Sequence, residues 1–403
     1  MKLLMTLMGY EYKKILKRKS TWIMVLFALA TTLFSCFGDA LGTYYVEGKP
    51  AYTHYEGIIT DRAYDRALTG RELNGELIGE MQKAYGRIPD SPYKMASIEY
   101  ETYARPYSRI RALVHSVTRY LTDEKGEMIN EFDIDGTHFY ELRSEAVQKQ
   151  LEKKKLTQVE YQQHLKMNER LTIPFTFRYT DGYRSCLSRM YTMGVLLLLT
   201  VTACLAPVFA SEYTDRTDQL ILASRYGKNK ALLAKLFTGV SFAVLLSLLL
   251  LFAETIPALM FYGFDGWNGP LLLVNIMTAY PFTLLEGVII LSGMAVLSAI
   301  LTAGLCLFLS ARLKSSFAVM LLLGTLITGS LFINIKEQYR ILYQLNSSLP
   351  LNVMSANNTF SDYFFVIFGK CFAPYQALPV IYGIITLILL AGSYRGFKNH
   401  EIR

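Results

Sequence analysis

Cysteine and histidine are scarce and scattered in this sequence, five of each in 403 residues. No CxxC or Cys/His spacing occurs, so a zinc site is excluded. Cys204 and Cys306 lie inside apolar runs, where a free thiol behaves as a small hydrophobe. Cys36, Cys186 and Cys371 leave a disulfide between two of them open, although an odd number of three argues against a framework. HExxH, GxSxG with triad partners, and GxxxxGK[ST] are all missing, which removes the corresponding zinc-hydrolase, serine-hydrolase and phosphate-loop classes. Glu131, Asp133, Asp135 and Gly136 open like a calcium-binding loop. The closing acid is replaced by Leu142, with Glu141 one position early, so the stretch reads as a turn between helices. There is no internal repeat and no low-complexity tract.

What is present is apolar surface. Hydrophobic residues make up 52% of the chain and the mean hydropathy is +0.25. They collect in runs of about 17–25 residues with few charges, the length a helix needs to cross hydrocarbon. The net charge of +8 sits at the ends of these runs, which assigns it to orientation in a membrane and not to nucleic acid.

The fold class expected is an all-α integral membrane protein with six transmembrane helices. Residues 1–20 form an interfacial amphipathic helix, with Leu4, Met8, Tyr12 and Ile15 on one face and Lys2, Lys13 and Lys17 on the other. A signal peptide with LFSC at Leu33–Cys36 as its lipobox is disfavoured by the bulky Phe34 and the length of the apolar run. The spans are 21–37, 190–210, 236–256, 285–310, 317–333 and 377–394. Basic groups at Lys13–Lys19, at Arg216–Lys235, at Arg312 and Lys314, and at Arg395–Arg403 then all fall on one side, the cytoplasmic one by the positive-inside rule. Residues 257–284 form an outer or re-entrant connection, broken at Gly269-Pro270 and Tyr280-Pro281.

Residues 38–189 form a large extracytoplasmic domain, mainly helical. Helical patterns cover Tyr64–Tyr85, Pro92–Leu121, Phe139–Leu156 and Thr157–Arg170, the last opened by a Thr157/Glu160 capping box. Ile173–Tyr179 alternates, and Asp181-Gly182 reads as a turn. The domain is rich in tyrosine, which serves helix packing and also suits a binding surface for an amphipathic ligand. Residues 334–376 form an outer loop in which short helices would dip into the outer leaflet, and 395–403 form a cytoplasmic tail. Glu254 and Glu286 lie near the outer ends of their spans, where interfacial solvation and a role lining a pathway are both open.

Residues 211–235 make a short charged return between two spans. Glu212 ends span two, and Thr217 is positioned to cap a short helix carrying Leu220, Ile221 and Leu222. Ser224-Arg225-Tyr226-Gly227 ends that helix and Lys235 opens span three. An isolated helix of two turns is marginal in water, so its apolar side needs a cover, either the membrane or a partner's groove. The pattern resembles the coupling helix of membrane subunits of ABC transporters of the ABC-2 (type V exporter-like) class. It departs from that class in having Arg216 where Gly usually precedes the Thr, and in lacking a Pro before Ser224-Arg225.

The resemblance implies a transmembrane subunit, not itself an enzyme, that works with a separate ABC ATP-binding subunit holding ATP and Mg. It implies a second membrane subunit, as a homo- or heterodimer, contact with membrane lipids, and a plasma (inner) membrane location in a bacterium with both termini cytoplasmic. Export of an amphipathic, lipid-like or peptide substrate is the expected function. The ATPase would engage Glu212, Thr217, Leu220, Ile221, Leu222, Arg225 and Lys235. Two alternatives stand beside it: a membrane sensor whose outer domain binds a ligand, and an ATP-independent carrier.

Overall fold

In the computed structural model, residues 2–90, 94–122, 126–224 and 226–399 are described. Arg225, Pro92 and Arg403, all used in the reading above, lie outside the described residues. The chain is 71% helical, with little sheet.

Two helices begin the chain, α1 (Lys2–Lys17) and α2 (Lys19–Gly38). A hairpin of β1 (Thr43–Val46) and β2 (Lys49–Thr53) follows. Its two-residue turn uses positive φ at Glu47 (50°) and Gly48 (79°), the combination that matches strand twist. A helical body comes next: α3 (His54–Leu68), α4 (Gly75–Tyr85), α5 (Ser108–Thr118), α6 (Phe139–Glu152) and α7 (Gln158–Asn168). The long apolar helices then appear. They are α8 (Asp181–Leu205), continued by α9 (Pro207–Thr214), and, after the six-residue α10 (Asp218–Ala223), α11 (Leu232–Tyr262). The remaining helices are α12 (Leu284–Ser310), α13 (Ser316–Phe332), α14 (Arg340–Ser347), α15 (Ala356–Thr359) and α16 (Pro374–Lys398), with a small hairpin of β3 (Phe365–Ile367) and β4 (Lys370–Phe372) before α16.

Among the described residues, five helices are long and apolar enough to cross a membrane: Lys19–Gly38, Asp181–Thr214, Gly227–Tyr262, Leu284–Ser310 and Pro374–Lys398. The apolar helix Ser316–Phe332 is shorter, at 17 residues. α12 lies at the centre, packed along α8, α11 and α16. Its buried stripe runs through Leu291, Ala295, Ala299, Ala303 and Leu307. The outward faces are also apolar: Phe27 and Phe34 on α2, Phe252 on α11, Leu321 on α13 and Leu387 on α16 are all exposed. Helices that are hydrophobic all round belong in lipid.

The helical body has its own core, around Leu77, Ile78, Ile110, Val114, Phe139 and Ala146. Several elements there differ from expectation. The Tyr64–Tyr85 pattern is two helices, because Gly70 takes φ +95° and the chain turns out to pair with the alternating segment. Gly70 and Leu73 donate to the carbonyls of Phe177 and Phe175, and Phe177 donates back to Arg71. Among the described residues of Pro92–Leu121 the helix is not uniform: a π-helical turn at Tyr100–Ala104 and a 3-10 turn at Arg105–Tyr107, which holds Pro106, lead into regular α-helix at Ser108–Thr118. The Thr157/Glu160 capping box forms as read. Asp181-Gly182 is not a turn but the first turn of α8. A Cβ at Gly182 would lie 2.2 Å from the carbonyl oxygen of Gly263, so the glycine allows the ends of α8 and α11 to touch.

Residues 263–283 are irregular apart from one 3-10 turn, Leu271–Leu273. Leu272, Leu273, Ile276 and Met277 enter the core of the helical body. The buried Arg143 of α6 holds them, donating to the carbonyls of Ile276 (2.7 Å) and Thr278 (2.9 Å). The stretch Tyr363–Phe368 enters β3 and ends at the hairpin tip, where Phe368 and Gly369 make the turn. All five cysteines are free thiols.

Candidate functional site

The return between the second and third long helices starts from a helix break. Pro207 has no N–H to give, and the ladder between α8 and α9 is interrupted there. Ser310 of α12 fills the gap: its hydroxyl donates to the carbonyl of Ala206 (2.7 Å) and accepts from the amides of Phe209 and Ala210, both at 3.0 Å. The redirected α9 carries Glu212 toward α11.

α9 ends in a Schellman motif. The amide of Thr217 donates to the carbonyl of Glu212 (2.9 Å) and that of Arg216 to Tyr213 (3.3 Å). Arg216 occupies the left-handed position, at φ +55°. A side chain there is strained by about 1–2 kcal/mol, which explains physically why glycine suits this place. Thr217 stands at the N-cap of α10 but does not cap it through its side chain, contrary to expectation. Its hydroxyl instead points back to the carbonyl of Glu212, at 3.5 Å.

α10 divides its three apolar residues. Leu222 is buried in the core of the long helices and Ile221 packs against that core, whereas Leu220 is 75% exposed. Gly227 closes the turn that follows, since a Cβ there would overlap the carbonyl oxygen of Ile221. The end of α16 braces the loop: Tyr394 donates to the carbonyl of Lys228 (3.2 Å), and Phe397 packs on Phe209 and Tyr213.

The base of the return is clasped by charge. Lys235, 1% exposed, donates to Glu212 Oε1 at 2.5 Å and to Glu11 Oε2 at 3.0 Å. Lys14 reaches the same Glu212 oxygen (3.1 Å) and Glu11 (3.2 Å). Two acids thus meet two bases. Burial pushes the Lys14 ammonium down, but Glu11 and Glu212 outweigh it and hold it above the usual lysine range. Tyr12 shares a hydrogen bond with Ser241 at 2.6 Å. The cluster therefore bolts α1 to the roots of both long helices.

Of the residues singled out from sequence, Glu212 and Lys235 come together, and Thr217, Leu220, Ile221 and Leu222 lie on the same return. Arg225 lies outside the described residues. Glu254 and Glu286 are elsewhere and unlike each other. Glu286 is exposed and completes a capping box on α12, accepting from the Thr283 amide (2.8 Å) and hydroxyl (2.9 Å). Glu254 is not at a wet interface: it is 0% exposed between α2, α8 and α11, and neither carboxylate oxygen has a hydrogen-bond partner. The cation that acts on it, Arg189, is engaged by Asp39 (2.7 Å) and Tyr262 (3.0 Å). Sequence reasoning missed Glu11. The available signal was that it is the one acid in the first 38 residues, placed three before Lys14. Among the described residues no cluster of His, Cys, Asp and Glu could hold a metal.

No protein-family model matches this chain, and no curated protein or solved structure matches it either.

Proposed function

We propose that this chain is the transmembrane subunit of an ABC transporter of the ABC-2 class, driven by a separate ATP-hydrolysing partner that seats on residues 211–235. The observation that carries the reading is the clasped return itself. Its base is fixed by Glu212, Lys235, Glu11 and Lys14, its flank by Tyr394 and Phe397, and its tip presents Leu220 to the outside. A short helix held rigidly between two long ones passes a partner's movement on as rigid-body tilt.

The six-span topology fits the same geometry. α13 begins just after Arg312 and Lys314, beside the clasp, where Tyr213 donates to the carbonyl of Ala311. It ends before α14, whose Arg340 binds Glu160 of the helical body at 2.6 Å. Its 17 residues rise about 25 Å, near the lower limit for a span. Counting it as the sixth brings α1, the return, Arg312 with Lys314, and the end of α16 to one side. The positive-inside rule makes that side cytoplasmic, in a bacterial inner membrane, and the helical body extracytoplasmic. A second copy or a related subunit would complete the membrane pair, and export of an amphipathic substrate is the direction the class implies. The sensor reading shares the return and the partner, and differs in whether substrate crosses.

The test is to purify the full chain from its host membrane with its associated proteins and to measure Mg-ATP hydrolysis in lipid, for wild type and Leu220→Asp. The expected result is ATPase activity carried by wild type and lost from Leu220→Asp, with both melting alike. If Leu220 crosslinks only to lipid and the Asp variant keeps the activity, the reading fails.

A further inference from the structure

We propose that a cavity between the helical body and the ends of the long helices binds the anionic headgroup of an amphiphile, phosphate or carboxylate. The cavity holds about 530 Å³. That is within the size of ligand sites, and it is enough for a headgroup and a few carbons but not for a whole two-chain lipid. Its walls come from α5, α6, the first turns of α8, residues 271–278 and the stretch 337–362.

Charge decides the class of ligand. Three cations, Arg119, Lys154 and Arg184, face two acids, Glu337 and Asp362. Lys154 is spent on Asp362 at 2.6 Å, with Glu337 at 4.0 Å. Glu337 also accepts from the Tyr363 hydroxyl at 3.2 Å. Arg119, at the exposed rim, donates to the neighbouring Tyr120 hydroxyl, at 3.0 Å, and lies over that ring. Arg184, half-buried on the second turn of α8, has no side-chain hydrogen bond and no ion pair among the described residues. The acids that act on it, Asp65 and Asp181, are both held by Arg109. A guanidinium is a planar fork of donors made for a carboxylate or phosphate, and among the described residues that of Arg184 has none.

The rest of the lining narrows the choice. Gln150 turns its Nε2 to Asp362, at 3.5 Å. Leu187, Leu271, Val274 and Phe360 make an apolar wall. A bare inorganic anion would leave that wall wet, and a neutral amphiphile would leave Arg184 unpaired. Arg184 stands where the long apolar helix Asp181–Thr214 begins, so a chain attached to the headgroup has apolar helix faces to lie along. The inference names a substrate class for the transporter reading and rests on that reading only for the ligand being cargo; binding itself does not require the ATPase.

The experiment uses the purified full chain in neutral detergent. Three probes of known structure are titrated: a single-chain phosphate monoester lipid, the neutral alcohol of the same chain length, and inorganic phosphate. Binding is read by calorimetry at two salt concentrations, for wild type, Arg184→Gln, Arg119→Gln and the surface control Arg87→Gln. The phosphate amphiphile should bind at least tenfold tighter than the alcohol, and Arg184→Gln should cost tenfold or more, as loss of a charge-assisted bond does. Arg87→Gln should change nothing. Equal binding of the alcohol overturns the proposal, as does unchanged affinity in Arg184→Gln. Inorganic phosphate binding as tightly as the amphiphile overturns it in favour of a free-anion site. If Arg184→Gln does not fold, the comparison of the three probes on wild type still decides. Failure here with intact ATPase coupling leaves the transporter reading standing, and the reverse outcome leaves the cavity standing.

Discussion

Replacing Lys235 by Met isolates what the clasp contributes. The lysine is buried, and its removal strands Glu212, whose side chain is 6% exposed, and Glu11, at 14%. Breaking a buried pair from one side costs about 3–5 kcal/mol, because the charge left behind has lost its partner. Lys14 stays within 3.1 Å of Glu212, but its side chain is 50% exposed and such pairs recover only about 0–1 kcal/mol. The net loss expected is therefore about 2–5 kcal/mol. The double variant Lys235→Met/Glu212→Gln removes both charges and should regain much of that loss, as buried pairs replaced together often do. The assay is the unfolding free energy of the full chain by SDS titration in mixed micelles, with limited proteolysis after Lys13 reporting release of α1. A loss below about 1 kcal/mol in Lys235→Met, or additive losses in the double variant, would refute the clasp as the element that seats α1.

Three further outcomes follow. Glu254→Gln should raise the unfolding midpoint, since the neutral amide removes the burial of a carboxylate without partners; a lower midpoint would mean that the ionised form is bonded in the native state. Arg216→Gly should stabilise by up to about 1 kcal/mol, through relief of the left-handed strain offset by glycine's extra freedom when unfolded, with ATP coupling unchanged. Burial pushes Asp65 up to about 7 against the pull of Arg109, from an ordinary value of 3.8. Between about pH 4 and 7 the native state thus holds a proton that the unfolded chain has released, so this group's contribution falls as pH rises through that window and is level above it. Asp65→Asn should remove that slope from a plot of stability against pH.

The long helices were legible because twenty apolar residues in a row leave little choice of structure, and the return was legible because charges interrupt two such runs. The partners of those charges were not. Glu11 lies 224 positions from Lys235, and nothing local to either reports that they meet. The helix break at Gly70 was visible as a letter, yet the apolar period ran through it and concealed the turn. Residues 257–284 read as an outer or re-entrant connection from the breaks at Gly269-Pro270 and Tyr280-Pro281. What decides the place of Ile276 and Thr278 is Arg143, whose donors satisfy their carbonyls from 133 and 135 positions away. Arg184 is not singled out by the sequence; the pairing of Arg109 with both nearby acids leaves it without an ion pair among the described residues.

The hydroxyl of Ser310 has a bearing on how force travels. Because it supplies contacts that Pro207 denies to its own helix, the elbow there is a joint between two chains of atoms rather than a bend in one. Neither side can flex and keep its backbone satisfied unless the other goes with it. A displacement begun at the exposed loop must therefore reach the central helix before it can spread along the second, and trimming one oxygen from that serine would slacken the linkage without touching either end.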